Sequence, residues 1–126
     1  MRARYVDLLK ALRDPDPRRA DNAFDAILFD REEALPALEE AYRKARRDTE
    51  MRYLTIQLMG FSGSPKAIEM VKNALCDSSP RVRAEACRAL EDLGAKECIS
   101  TLQDCVRDSN AEVRLAAMEA LVALRQ

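Results

Sequence analysis

Residues 78–90 read "SSPRVRAEACRAL", and residues 109–121 read "SNAEVRLAAMEAL". An aspartate precedes each stretch, Asp77 and Asp108, and with it seven of fourteen letters coincide at a separation of 31 positions. Self-similarity with a period between about 20 and 50 residues is typical of proteins built from stacked repeats. The repetition therefore predicts one structural unit that occurs more than once along the chain.

Residues that favour helix starts return with nearly the same period. Four of them are separated by 32, 31 and 31 positions. Each has a side-chain oxygen that can accept a hydrogen bond from a first-turn amide. Proline follows two of them, at the first helical position where its missing N–H does least harm. The candidate N-cap residues are Asp16, Asp48, Ser79 and Asn110.

A second amphipathic segment lies between the repeated stretches. Its apolar positions, such as Ile99, Leu102 and Val106, are spaced by 3 and 4 residues, which is helical periodicity. Each unit is therefore predicted to be a helical hairpin, an A helix followed by a B helix. An irregular bundle would not explain why caps and glycines recur in phase. The predicted A helices are 4–12, 32–45, 65–76 and 96–107, and the predicted B helices are 17–29, 49–61, 80–93 and 111–124.

The pattern D-x-x-P-x-V-R-x-x-A-x-x-A-L-x-x-L-G at residues 77–94 resembles the short HEAT repeat of the phycobilisome-lyase type. It recurs in part at 108–124, and "ALPALEEAY" at 34–42 resembles the A helix of that repeat. The resemblance implies an all-α fold, a right-handed α-solenoid of about four helical hairpins (a HEAT/armadillo-like superhelix). We expect one HEAT-like repeat domain over residues 1–126, with the B helices lining its concave side.

The resemblance also implies that the repeated aspartates and arginines bond across neighbouring repeats. The pattern weakens toward the N-terminus, where Arg19 and Ala20 replace the Val-Arg pair and Arg46 replaces the loop aspartate. These departures put the bonds in doubt for the first unit only. The residues expected to be linked are Asp77 and Asp108 with Arg52, Arg83 and Arg114.

Composition excludes several classes of protein. The 21 Lys and Arg nearly cancel the 22 Asp and Glu, so no global field attracts the chain to nucleic acid or to an anionic membrane. No apolar run approaches the roughly 18 residues of a membrane span, and we expect a cytoplasmic protein. The cysteines form no C-x-x-C pair, which indicates reduced, mostly buried thiols rather than disulfides or a zinc site. They are Cys76, Cys87, Cys98 and Cys105.

The chain is not expected to be an enzyme or to carry a cofactor. Histidine is absent, which removes the commonest general base and the metal ligands of HEAT-like iron hydroxylases. Three glycines supply no phosphate-binding loop. Cys98 is the one residue with a possible chemical role, because the dipole at a helix start lowers a thiol pKa. Cys105 shares its face, but it lies about 10 Å further along the helix, too far for a disulfide.

The function that this pattern favours is protein binding, as an interaction module or scaffold, through the concave B-helix surface. Aromatic side chains beside arginine are typical of binding hot spots. If the helical phase is wrong by one residue, these aromatics belong to the core instead. The resemblance implies an alternative, a non-catalytic accessory subunit of a modifying enzyme such as a chromophore lyase. The predicted partner-binding residues are Phe29, Tyr53, Leu54, Gln57, Phe61, Arg81, Glu85 and Arg88.

Two further segments suggest contacts. On the last helix Leu115, Met118 and Val122 are left over after one apolar stripe is buried, so either another chain covers them or the array is longer. We expect self-association to form a homo-oligomer. The "RKARR" run at 43–47 can contact phosphate, although a solvated helix end explains it better. Nucleic acid and membrane are therefore not expected partners.

Overall fold

The computed structural model describes residues 2–126 and, over that range, contains eight α-helices and no β-strand. The helices pair into four consecutive hairpins, each an A helix followed by a B helix, which confirms the all-α solenoid. The predicted B helix over 80–93 is observed as Pro80–Asp92. The helices are α1 (Arg2–Ala11), α2 (Pro17–Asp30), α3 (Leu35–Lys44), α4 (Thr49–Phe61), α5 (Ile68–Asn73), α6 (Pro80–Asp92), α7 (Ile99–Cys105) and α8 (Ala111–Leu124).

The four predicted N-caps all begin a B helix. In each, the side-chain oxygen accepts a hydrogen bond from a backbone amide of the first turn, which satisfies a donor that the helix leaves unpaired. The pairs are Asp16 with the Arg18 amide, Asp48 with Met51, Ser79 with Val82, and Asn110 with both Glu112 and Val113.

The chain leaves each of the first three B helices through a residue with positive φ. Gly63 and Gly94 have φ of 69° and 63°, and Arg31 has φ of 50° at the corresponding place after α2. Glycine has no Cβ to oppose this conformation, whereas arginine does. A short 3₁₀ turn, which begins at Arg31 itself and shortly after Gly63 and Gly94, leads into the next A helix.

The B helices stack one on the next, α2 on α4, α4 on α6 and α6 on α8. The two repeated valines, Val82 and Val113, are both fully buried, so the matching letters occupy matching environments. The α4–α6 contact is close at Gly60, because a Cβ built on that residue would lie 2.7 Å from Cβ of Ala89. Glycine at that position permits the close approach.

Two ion pairs, the first buried and the second partly buried, join the second hairpin to the third and the third to the fourth. Arg52 donates from Nε and Nη2 to the two carboxylate oxygens of Asp77, at 3.1 and 3.2 Å. Arg83 makes the same pair of bonds to Asp108 at 2.9 and 3.1 Å. Arg114, the last of the series, donates to the Asp108 carbonyl oxygen at 2.8 Å. The bonds of Arg52 and Arg83 agree with the ladder that the resemblance implies, whereas Arg114 bonds within its own hairpin.

The surroundings of the two aspartates stabilise their charged forms. Burial alone would raise the pKa of Asp77, but hydrogen bonds from Tyr42, the Ser79 amide and Arg52 outweigh it and hold that pKa below its usual range. The bond from Arg83 is the main reason that the pKa of Asp108 is also lowered. Both carboxylates therefore stay ionised to a lower pH than a free aspartate does.

The first boundary lacks this device. Ala20 stands where the other B helices have an arginine, so nothing on α2 can make the equivalent bond. Instead Arg13, in the turn before α2, forms an ion pair with the N-cap residue Asp48. These two side chains are 41% and 45% exposed, against 8% and 5% for Arg52 and Asp77. The doubt about the first unit is confirmed.

Candidate partner-binding groove

A groove of about 660 Å³ crosses the exposed face of three stacked B helices, α4, α6 and α8. The side chains that α4 contributes to the groove are two aromatic rings and one amide. The side chains that α6 and α8 contribute are all charged. The residues that line it are Tyr53, Gln57, Phe61, Arg81, Glu85, Arg88, Glu91, Asp92, Glu112 and Glu119.

The repeat determines which side chains meet in the groove. Because the helices are in register, residues 31 positions apart lie side by side on neighbouring helices. Gln57, Arg88 and Glu119 form one such row. A second row at the start of the helices contains Arg81 and Glu112. The groove is thus a small grid whose rows run across the stack.

Tyr53 and Arg81 form the first fixed feature of the grid. The Arg81 guanidinium lies over the Tyr53 ring at 4.0 Å from its centroid, a cation–π contact, and it also forms an ion pair with Glu50. Burial, and then the charge of Glu85, raise the pKa of the Tyr53 hydroxyl. Tyr53 is half-buried, so one part of the ring supports the arginine and the rest is open to the groove.

Glu85 and Arg88 form the second feature. Glu85 is 4% exposed, and burial raises its pKa although Arg88 partly compensates. Arg88 lies 3.4 Å from a Glu85 carboxylate oxygen and 3.4 Å from one of Glu112. One guanidinium therefore serves two carboxylates.

Phe61 forms the apolar end of the groove. It is the last residue of α4 and is 43% exposed. Its ring packs edge-to-face on Phe24, with centroids 6.3 Å apart and an interplanar angle of 76°. This contact holds the ring in place, so that a fixed aromatic edge is presented to solvent.

The structure brings six of the eight predicted residues together. Glu85 was expected to be exposed, which is wrong, because neighbouring helices cover all but its groove-facing part. Leu54 is half-buried in a separate hollow of about 290 Å³ against α2. Phe29 is 84% exposed and lies outside the groove. The six that meet are Tyr53, Gln57, Phe61, Arg81, Glu85 and Arg88.

The stripe on the last helix is exposed. Leu115, Met118 and Val122 have exposed fractions of 57%, 47% and 63%. The positions one repeat before Leu115 and Met118 are Ala84 and Cys87 on α6, and both are fully buried where α8 packs on α6. The position one repeat before Val122 is Glu91, which is half-buried and lines the groove. Leu115 and Met118 therefore continue the edge on which each B helix packs against the next.

The basic run at 43–47 is largely occupied by its own helix. Arg43 and Lys44 pair with Glu39 and Glu40 one turn earlier, at 3.8 and 2.9 Å. The carbonyl oxygen of Arg46 accepts a hydrogen bond from Arg52.

The cysteines differ in part from the prediction. All four are free thiols, with Cys87 and Cys98 buried, Cys105 intermediate and Cys76 exposed. Burial raises the pKa of Cys98, so the expected lowering by the helix dipole is wrong. Nothing in the sequence showed that the Cys87 thiol meets the Cys105 thiol from the next helix. That contact, together with burial, raises the pKa of Cys87.

Three other results concern the described part of the chain. Within residues 2–126, no three Cys, Asp or Glu side chains converge in a way that could hold a metal ion. A hollow of about 420 Å³ between α1 and α3, lined by Tyr5, Val6 and Leu9 among others, was not foreseen from the sequence. No helix in the described part of the chain is long and apolar enough to cross a membrane.

Comparison with known proteins gives the class. Residues 71–126 match the family model for HEAT repeats, which, with the stacked hairpins, supports a HEAT-like repeat protein. The match begins within α5 and includes the two most regular units.

Two solved structures share the fold. Human deoxyhypusine hydroxylase in complex with glycerol is similar over 98% of this chain and 44% of its own, with 21% identity and a TM-score of 0.78. An engineered protein is similar over 94% and 61%, with 19% identity and a TM-score of 0.58. The chain thus spans less than two thirds of either one, and the likeness shows the fold alone. No curated protein sequence matches the chain.

Proposed function

We propose that the chain is a protein-interaction module that binds a segment of a partner protein in the groove across α4, α6 and α8. The observation that carries the proposal is the pairing of fixed aromatic edges with arginines in one hollow of about 660 Å³. Tyr53 packs against Arg81 and Phe61 against Phe24, and each contact restricts its ring before a partner arrives. Ordered aromatic and arginine side chains reduce the entropy cost of association.

Two exposed phenylalanines provide a matched test. Phe61 lines the groove and Phe29 does not, so Phe61→Ala and Phe29→Ala remove the same group from different surfaces. A displayed library of random peptides would be selected on the wild-type protein, and each selected peptide titrated against both variants. Phe61→Ala is expected to weaken binding about tenfold and Phe29→Ala to leave it unchanged.

Two results would contradict this function. One is a selection in which no peptide depends on Phe61. The other is an equal loss of binding in the Phe29→Ala variant. Melting temperatures of both variants serve as the folding control, since each side chain is substantially exposed.

A binding role needs no catalytic residue, and we expect the partner segment to leave the groove chemically unchanged. Mass spectrometry of a selected peptide before and after prolonged incubation checks this, and an altered mass would show an activity. The alternative of an accessory subunit to a chromophore lyase is favoured by no contact in the groove. It stays a prediction, as does the cytoplasmic location, and recovery of a bilin-bearing partner would support the alternative.

We also propose a second contact, between two copies of the chain through Leu115, Met118 and Val122. If two α8 helices lie antiparallel with Leu115 opposite Val122, Glu112 comes opposite Arg125, so the apolar and charged positions match in one register. A single helix pair buries little area, which predicts a weak dimer. Sedimentation at increasing concentration is expected to show it, and a Leu115→Glu variant to abolish it. A wild-type protein that stays monomeric throughout would contradict this contact.

A further inference from the structure

The groove has more negative than positive side chains. Two arginines and five carboxylates line it, although the whole chain has a formal net charge of only −1. The imbalance is therefore local to this surface. The carboxylates are Glu85, Glu91, Asp92, Glu112 and Glu119.

Both arginines are already engaged. Arg81 pairs with Glu50 outside the groove lining, and Arg88 is shared between Glu85 and Glu112. Within the described part of the chain, none of the three remaining carboxylates forms an ion pair. They are Glu91, Asp92 and Glu119.

The position of two of these groups strengthens the local field. Glu91 and Asp92 lie in the last turn of α6, and that turn contains no basic residue. The negative end of a helix dipole favours cations there, so two carboxylates at that end are placed unfavourably. Asp92 is exposed, yet partial desolvation raises its pKa. A cationic group of a partner would offset both the unfavourable interaction with the helix dipole and the desolvation of Asp92.

An apolar surface adjoins these carboxylates. Phe61 and Asp92 are 31 positions apart, and they end the neighbouring helices α4 and α6, so they lie at the same end of the groove. Lysine and arginine have apolar stems that pack on such surfaces while their charged ends reach a carboxylate. A protein segment supplies stems, charges and a neighbouring apolar side chain together.

We propose that the groove binds a basic protein segment, whose lysines or arginines meet Glu91, Asp92 and Glu119 while an adjacent apolar side chain packs on Phe61 and Tyr53. This inference rests on the proposed function and gives the partner its chemical class. The acidic end of the groove attracts the segment, and the aromatic wall fixes its register.

The test uses a defined probe, a fluorescein-labelled peptide in which one leucine is flanked on both sides by lysines and arginines. The groove variant is Glu91→Gln/Asp92→Asn/Glu119→Gln. The matched control, Glu33→Gln/Glu69→Gln/Glu97→Gln, removes three exposed carboxylates that lie outside this groove. By fluorescence anisotropy, the groove variant is expected to bind about tenfold more weakly than wild type, and the control within about twofold.

Two further readouts make the result specific. Affinity for the wild type is expected to fall as ionic strength rises from about 0.01 M to about 1 M, because the carboxylates are solvent-accessible. The groove variant is expected to melt no lower than wild type, since it removes charge from the negative end of α6. Equal affinity of wild type and groove variant would overturn the inference. So would equal binding of a peptide with glutamate in place of each basic residue.

Failure of this inference can be told apart from failure of the proposed function. If the peptides selected on the wild type depend on Phe61 but are not enriched in lysine and arginine, the groove binds partners of another chemistry. If no selected peptide depends on Phe61, the binding function itself is wrong.

Discussion

The first hairpin and the three that follow have the same plan but are joined differently. Between the later hairpins, arginine–aspartate pairs are buried, with side chains of Arg52 and Asp77 only 8% and 5% exposed. Between the first and second hairpins, the pair of Arg13 and Asp48 lies at the surface. The groove is likewise built on α4, α6 and α8 and leaves out α2. The regular units thus carry both the shielded ion pairs and the candidate binding surface, whereas the first unit is joined to the second through an exposed pair.

The largest expected effect is at the second junction. Asp77→Asn leaves the Arg52 guanidinium buried without its carboxylate and weakens the bond from Tyr42. We expect the free energy of unfolding to fall by about 3–5 kcal/mol, as measured by urea denaturation. Asp14→Asn is the matched control, because Asp14 accepts the Asp16 amide as Asp77 accepts that of Ser79, but without a buried arginine. Equal losses in the two variants would contradict the difference between the regions.

The same pair predicts a dependence on pH. The folded-state pKa of Asp77 is lowered, so its stabilisation is fully present above the unfolded value near 3.8 and is lost as pH falls through the folded value. The stability difference between wild type and Asp77→Asn is therefore expected to shrink at acid pH. Urea denaturation at a series of pH values checks this, and a constant difference would mean that charge is not its source.

A smaller loss is expected where α4 and α6 approach each other at Gly60. A methyl group added by Gly60→Ala would lie 2.7 Å from Cβ and 2.9 Å from Cα of Ala89, so α4 and α6 must move apart. We expect the free energy of unfolding to fall by about 1–3 kcal/mol. Adding Ala89→Gly to this variant should restore only part of the lost stability, because the new methyl group still lies too close to Cα of residue 89. A Gly60→Ala protein as stable as wild type would show that the stack is looser there.

The turns after the B helices give effects of opposite sign. Gly94→Ala puts a Cβ on a residue with φ of 63° and is expected to cost about 1–2 kcal/mol. Arg31→Gly removes the Cβ from a residue with φ of 50°, and this variant is expected to stabilise the fold by about 0.5–1 kcal/mol. Thermal unfolding of the two variants measures both changes in stability. Destabilisation by Arg31→Gly would mean that the arginine side chain has a role that outweighs its backbone strain.

The smallest effect is expected at the first junction. Arg13→Ala removes an ion pair whose side chains are both over 40% exposed, so the loss should be under about 1 kcal/mol and should shrink in high salt. Chemical denaturation at low and high ionic strength checks it. A loss comparable to that of Asp77→Asn would contradict the difference between the first junction and the later ones.

Much of the fold follows from letters that recur. N-caps depend on one side chain and its own first turn, so Asp48 and Asn110 could be placed from sequence alone. The bond between Arg52 and Asp77 followed from the resemblance, because both residues match the repeat. Arg13 matches no repeat position, and nothing in the sequence showed that it would reach Asp48.

Most residues of the candidate groove could be predicted from the sequence, but the extent to which each side chain is buried could not. Adjacent residues on a helix point about 100° apart, so a position at the edge of a face is buried or exposed according to how closely the next helix packs. Glu85 lies at such an edge and is buried. The same limit applies to Cys98, where burial by neighbouring elements outweighs the helix dipole. Both depend on packing that a single helix pattern does not contain.

An NMR titration tests most directly the claim that the regular hairpins, and not the first, carry the binding surface. The leucine-centred basic peptide would be added to ¹⁵N-labelled protein and the amide shifts followed. We predict that the changes concentrate in α4, α6 and α8, around Tyr53, Arg88 and Asp92. Changes centred on α1 and α2, or on the basic run at 43–47, would contradict the account.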